Sequence, residues 1–213
     1  MHILITGATR GIGAGLAKAY RAAGHTVTGT GRSSAAEVTL DVTQPPDHRA
    51  MADQLAGRPV DLLVCNAGVY LDKGNALETG YAPDLWAQSF AANVTGVFLT
   101  VQTLLSNLRA AAAPRIAIIS SQMASHTRAP GGSYIYRASK AAVLNLGRNL
   151  AADLAGEVAV GIYHPGWVQT DMGGASADIT VDEAVAGLID RFAALDHSTT
   201  GCFETWDGRA HPY

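Results

Sequence analysis

The chain opens on a short apolar run, His2-Ile3-Leu4-Ile5, that breaks directly into Thr6-Gly7-Ala8-Thr9-Arg10-Gly11-Ile12-Gly13. An apolar run of this length bounded by turn residues reads as a buried strand. The periodic pattern that follows reads as a helix over about Ile12–Ala23. A strand that passes through glycines straight into a helix lets the backbone turn tightly and approach a pyrophosphate. The first N–H groups of the helix then point at the anion. Gly7, Thr9, Arg10, Gly11, Ile12 and Gly13 are therefore candidate dinucleotide contacts. An export signal is not expected, because the apolar segment is too short.

The same alternation of short apolar runs and helical patterns continues along the chain, which predicts parallel βαβ units. Strands are expected at His2–Ile5, Thr26–Thr30, Val38–Leu40, Asp61–Cys65, Arg115–Ile119, Val158–Tyr163 and near Gly201–Glu204. Further helices are expected near His48–Leu55, Pro83–Ala112, Tyr134–Leu154 and Val181–Leu195. The fold class is thus α/β: a single domain, 1–213, with a doubly wound parallel sheet of about seven strands. One link is unusual. Only Arg32 to Glu37 separate the second and third strands, where a parallel crossover normally takes about a dozen residues. The helix is expected to be missing there, its place taken by a stretched loop.

Composition excludes several function classes. The formal net charge is −3 and no basic block occurs, so neither a nucleic-acid nor a membrane surface is expected. No apolar stretch reaches the roughly 20 residues of a membrane helix. The seven histidines lack ligand spacing, so no protein-held metal is expected. Cys65 and Cys202 are far apart and read as free thiols in a reducing, cytoplasmic compartment.

Chemistry concentrates in Tyr136-Arg137-Ala138-Ser139-Lys140. Tyrosine and lysine at i and i+4 share one helix face, whereas Tyr134 has the wrong spacing to Lys140. A phenol near its reference pKa of about 10 is a poor proton donor at neutral pH, and a neighbouring ammonium is expected to draw that value down. Ser120 and Ser121 end the strand Arg115–Ile119, and either can offer a hydroxyl. Ser133 is placed to cap the following helix. Pro165-Gly166 marks a turn after the sixth strand, and His164 before it reads as a hydrogen-bonded packing residue.

Taken together, the TGxxxGxG turn, Asn66-Ala67-Gly68, Asn93 and Tyr136-x-x-x-Lys140 resemble the short-chain dehydrogenase/reductase family over essentially the whole chain. The resemblance implies an oxidoreductase that passes a hydride between nicotinamide and a small carbonyl or secondary alcohol. It gives Tyr136 the acid/base role, Ser121 the substrate oxygen, Lys140 the tyrosine and the cofactor ribose, and Asn93 a proton-relay water. It implies that Asp41 and Val42 contact adenine, that Asn66, Ala67 and Gly68 border the adenine side, and that Pro165, Gly166, Val168 and Thr170 hold the nicotinamide amide. The stretches Tyr136–Ala142, His164–Gly174 and Phe203–Arg209 are similar to the C-factor-like, or sniffer-like, carbonyl-reductase branch.

NADP(H) is expected over NAD(H). The second strand ends Thr30-Gly31-Arg32 with no acid at its tip, and Arg10 and Arg32 could fork onto a 2′-phosphate. Glu37 is the nearest acid that could instead reach a free ribose, so NAD(H) stays possible. Two other readings stay open, an NAD-dependent alcohol dehydrogenase and a non-enzymatic dinucleotide-binding signalling protein. A homo-oligomer is expected, pairing through Pro83–Ala112 and Tyr134–Leu154 with Leu99, Leu104, Val143, Leu146 and Leu150.

Overall fold

A computed structural model describes residues 1–213. Seven strands, His2–Ile5 (β1), Thr26–Gly31 (β2), Val38–Thr39 (β3), Leu62–Cys65 (β4), Arg115–Ile119 (β5), Ala159–His164 (β6) and Phe203–Thr205 (β7), form one sheet. Its order is β3-β2-β1-β4-β5-β6-β7, and every neighbouring pair is parallel. The helices are Gly11–Ala22 (α1), Pro45–Leu55 (α2), Pro83–Phe90 (α3), Gly96–Arg109 (α4), Tyr134–Asp153 (α5) and Val181–Ala194 (α6). Strand order reverses between β1 and β4, which opens a crevice at their carboxyl ends.

Strands buried on both faces explain the near-continuous apolar runs. Leu4, Leu63, Cys65 and Ile118 point into one core with Val101, Leu104 and Val143 of α4 and α5. Ile3, Ile5, Leu62 and Val64 point into the other with Leu16 of α1 and Phe192 of α6. Successive strand residues therefore serve opposite layers.

The link between β2 and β3 contains no helix, as its length predicts. Register explains how so few residues suffice. Val38 pairs with Thr30 and Thr39 with Gly31, so β3 starts only one residue before β2 ends. The chain hardly has to travel back. Below that pairing the Glu37 carboxylate accepts from the Gly29 N–H at 2.8 Å, taking the place of a strand carbonyl.

Two expectations need correction. Residues 83–109 form a helical run long enough to cross a membrane, and an 18-residue stretch within it reaches a mean hydropathy of 1.2, where the sequence pattern suggested none. Part of its apolarity belongs to the face against the sheet, since Val97, Val101, Leu104 and Leu108 lie in the core. The run is not a uniform α-helix either: a π turn at Ala91–Thr95 separates α3 from α4. Of the apolar residues expected to face a second copy, Leu104 and Val143 are wholly buried against the sheet. Leu99, Leu146 and Leu150 are half-buried, and the exposed Phe98 joins them on α4.

Candidate active site

At the carboxyl ends of the central strands lies a cleft of about 370 Å³. Ile12, Ser121, Tyr136, Pro165, Val168 and Thr170 all line it. A second hollow of about 400 Å³ between Glu183, Arg191 and Trp206 holds none of the candidate residues.

The cofactor end is a lattice of backbone contacts. The Thr6 hydroxyl accepts from the N–H groups of Asn66 and Ala67, both at 3.0 Å. Asn66 Nδ2 donates to the carbonyls of Thr6 and Gly7 at 3.0 and 3.1 Å. The glycine-rich turn and the Asn66-Ala67-Gly68 element are thus one unit. Gly7 takes a φ of 68°, and a Cβ on Gly13 would collide with the Gly7 carbonyl oxygen. Glycine there is required by close approach. The α1 N-terminus has no side-chain cap and no acidic residue in its first turn. Its free N–H groups suit an anion. Thr9 touches the end of β2, where a Cβ on Gly31 would lie 2.6 Å from the Thr9 methyl. Arg32 follows, exposed. These features fit a dinucleotide with its pyrophosphate at α1.

Three predicted contacts at this end have partners within the chain. Arg10 pairs with Asp171 at 2.5 Å, across the loop after β6. Both members of that pair are exposed, which makes it weak. The Glu37 carboxylate is engaged by Arg21 at 2.5 Å and by the Gly29 N–H at 2.8 Å. Asp41 accepts from the Thr43 N–H and hydroxyl, closing a local turn, while Val42 packs against Gly96 of α4.

The catalytic end joins α5 to the end of β5. Tyr136 and Lys140 are both buried on one face of α5. Ser120 donates to the Lys140 carbonyl at 3.2 Å and is consumed by packing. Ser121 is the free partner: its oxygen accepts from the Met123 N–H, and its hydroxyl lies near enough to the Tyr136 phenol to favour the ionised form. The 3₁₀ turn Gln122–Ala124 and the loop to Gly132 absorb the long spacing between Ser121 and Tyr136.

Acidity at the site departs from the expectation that Lys140 depresses Tyr136. Burial pushes the phenol above its usual range; Ser121 works against that, while Tyr70 and Asp72 add to it. The Lys140 ammonium donates to the Ile119 carbonyl at 3.0 Å, and burial brings its pKa down to about 8. Asn93 sits in the π turn. Its Nδ2 donates to the Val69 carbonyl at 2.9 Å and to the Ser139 hydroxyl at 3.0 Å, and its Oδ1 accepts from the Val69 N–H at 2.8 Å. Both amide protons are used, so the side chain braces the site, and a water could reach it only as a donor to the remaining Oδ1 lone pair.

His164 lines the cleft and is buried, yet its Nδ1 has no hydrogen-bond partner. Burial first, then the neighbouring His211, lowers its pKa to about 4. Thr170 accepts from the Gly173 N–H at 3.1 Å and donates to the Val168 carbonyl, which shapes the loop after Pro165-Gly166. Ser133 does not cap α5 with its side chain. Asp72 does, accepting from the N–H groups of Ile135 and Tyr136 at 2.9 and 3.2 Å. Tyr70 stacks on Tyr136 with ring centres 4.3 Å apart. The sequence reading passed over both residues, because nothing local relates them to a helix some 63 residues further on.

Residues 1–179 match the family model described as short chain dehydrogenase. The C-signal protein of Myxococcus xanthus is 35% identical over 167 residues, covering 78% of this chain and 99% of that protein. The NADPH-bound carbonyl reductase from chicken fatty liver superposes with a TM-score of 0.91 at 28% identity, covering 100% of this chain and 98% of that one. A Burkholderia multivorans protein with bound NADP gives a TM-score of 0.90 at 30% identity, covering 100% of this chain and 99% of that one.

Proposed function

The chain belongs to the short-chain dehydrogenase family, on the side that holds the C-signal and carbonyl-reductase relatives, and on that premise we propose that it reduces small carbonyl compounds with NADPH, Tyr136 serving as the acid. One observation carries the reading: Tyr136, Ser121 and Lys140 meet beside a cleft at the strand ends. When bound, the dinucleotide supplies the hydride.

The chain's own residues would act as follows. Ser121 holds the substrate oxygen beside the phenol. Tyr136, kept protonated by burial, donates its proton to that oxygen as negative charge develops there. Lys140 keeps donors beyond its bond to Ile119 for a ribose hydroxyl. Asn93 holds Val69 and α5 in place and acts through position. Arg32 takes the 2′-phosphate. The outer cleft is lined by Met123, Trp167 and Met172, which suits an apolar substrate body. We place the protein in a reducing, cytoplasmic compartment, consistent with its two free cysteines. Phe98, Leu99, Leu146 and Leu150 form the face through which we expect a second copy to pair, which sedimentation would test.

The deciding experiment is NADPH oxidation with a panel of aldehydes, ketones and quinones, run on wild type and Tyr136→Phe. Turnover by wild type alone supports the reading. The similarity to C-signal favours a second reading, a dinucleotide-binding signal protein. Binding of NADPH without turnover on any carbonyl would select it.

A further inference from the structure

We infer that Tyr70 is a positioning residue for Tyr136, and that Val69–Lys73 acts as a strap fixing the phenol at the start of α5. The inference rests on the reading of Tyr136 as the acid. The strap is pinned at both ends. At Val69, the Asn93 side chain grips both main-chain groups, at 2.8 and 2.9 Å. At the other end Asp72, with no exposed surface, receives the first free N–H groups of α5. A carboxylate at a helix N-terminus satisfies orphan donors and complements the helix dipole. Here that cap comes from the strap, so the placement of α5 depends on it.

Between the pins, the Tyr70 ring lies 4.3 Å from that of Tyr136 with the planes 22° apart. Its hydroxyl is hydrogen-bonded to the Ser133 hydroxyl at 2.5 Å. Ser133 occupies the left-handed region with φ 46° and ψ 43°, an unfavourable conformation for a residue with a Cβ. The strain is compensated locally: that conformation presents the hydroxyl which fixes Tyr70. Backbone strain held by surrounding contacts beside a reactive group is a common sign of preorganisation.

The stack does two things for Tyr136. It blocks one face of the ring, so the phenol cannot swing away from Ser121. It also excludes water from that face, which keeps the phenol in its protonated form; the nearby Asp72 carboxylate acts in the same direction. Displacement of a reacting group by about 1 Å can cost roughly a hundredfold in rate.

The test uses NADPH with an electron-poor aromatic aldehyde and four chains: wild type, Tyr70→Phe, Tyr70→Leu and Tyr136→Phe. Tyr70→Phe keeps the stack and should stay within about threefold of the wild-type kcat. Tyr70→Leu should lose about tenfold or more in kcat while the KM for NADPH changes less than about twofold. Its alkaline limb of kcat should move to lower pH, since the phenol is then wetter and easier to ionise. Circular dichroism and Tm establish that each variant is folded, and Ser133→Ala, which should behave like Tyr70→Phe, gives an independent handle. A Tyr70→Leu variant with wild-type kcat, or with reduced kcat and an unmoved pH profile, overturns the inference. If Tyr136→Phe keeps its rate, the reading of Tyr136 falls and the strap's purpose with it. If Tyr136→Phe is dead and Tyr70→Leu is normal, the strap alone falls.

Discussion

The Lys140 ammonium lies 5.7 Å from the centre of the Tyr136 ring and donates to the Ile119 carbonyl at 3.0 Å. The i, i+4 spacing puts the two side chains on one face, yet the lysine is anchored to the strand end and not to the phenol. Its burial brings the pKa down to about 8, so it carries charge below that pH and loses it above. NADPH affinity should therefore fall as pH rises through about 8. Lys140→Met should bind NADPH more weakly at pH 7 and lack that dependence. Fluorescence titration of NADPH across pH checks both; a pH-independent wild-type Kd would refute the anchoring argument.

His164 makes a stability prediction. Its pKa falls from 6.5 to about 4, mainly through burial. In this window the unfolded chain binds the proton and the native one does not, so stability is full above pH 6.5 and declines as pH falls toward 4. The loss should reach up to about 3 kcal/mol from this group. Denaturant melts of wild type and His164→Asn between pH 7 and pH 4 measure it, and the variant should show the flatter profile.

The two serines should separate cleanly. Ser121→Ala removes the hydroxyl beside the phenol and should lower kcat/KM by about a hundredfold, and loss of the bond from the Met123 N–H should cost about 1 kcal/mol of stability. Ser120→Ala removes a buried bond to the Lys140 carbonyl and should cost about 1 kcal/mol of stability with most activity kept. Equal kinetic losses in both would refute the assignment.

Cofactor choice should rest on Arg32. Arg32 follows the end of β2 directly and has no partner in the chain, so Arg32→Ala should raise the KM for NADPH by about tenfold or more and leave that for NADH nearly unchanged. Arg10→Ala should do less. Steady-state kinetics with both cofactors decide this, and equal wild-type efficiency with each would show that the arginine does not select.

The sequence by itself determined whatever depends on local pattern. Strand burial follows from runs such as Leu62–Cys65, the α5 face from i, i+4 spacing, and the glycine-rich turn from residues that tolerate close approach. Even the helix-free link after β2 was legible, because six residues cannot hold a crossover helix. Tertiary structure decided what depends on contacts between distant segments. Ser120 and Ser121 are chemically alike in sequence, and only the packing of β5 against α5 consumes one hydroxyl and spares the other. Arg10 finds Asp171, and Asp72 and Tyr70 find the start of α5, across separations for which a linear pattern carries no signal. The acidity of Tyr136 was misjudged for the same reason. Neighbouring charge can be guessed from spacing, but desolvation is a sum over everything packed around the group.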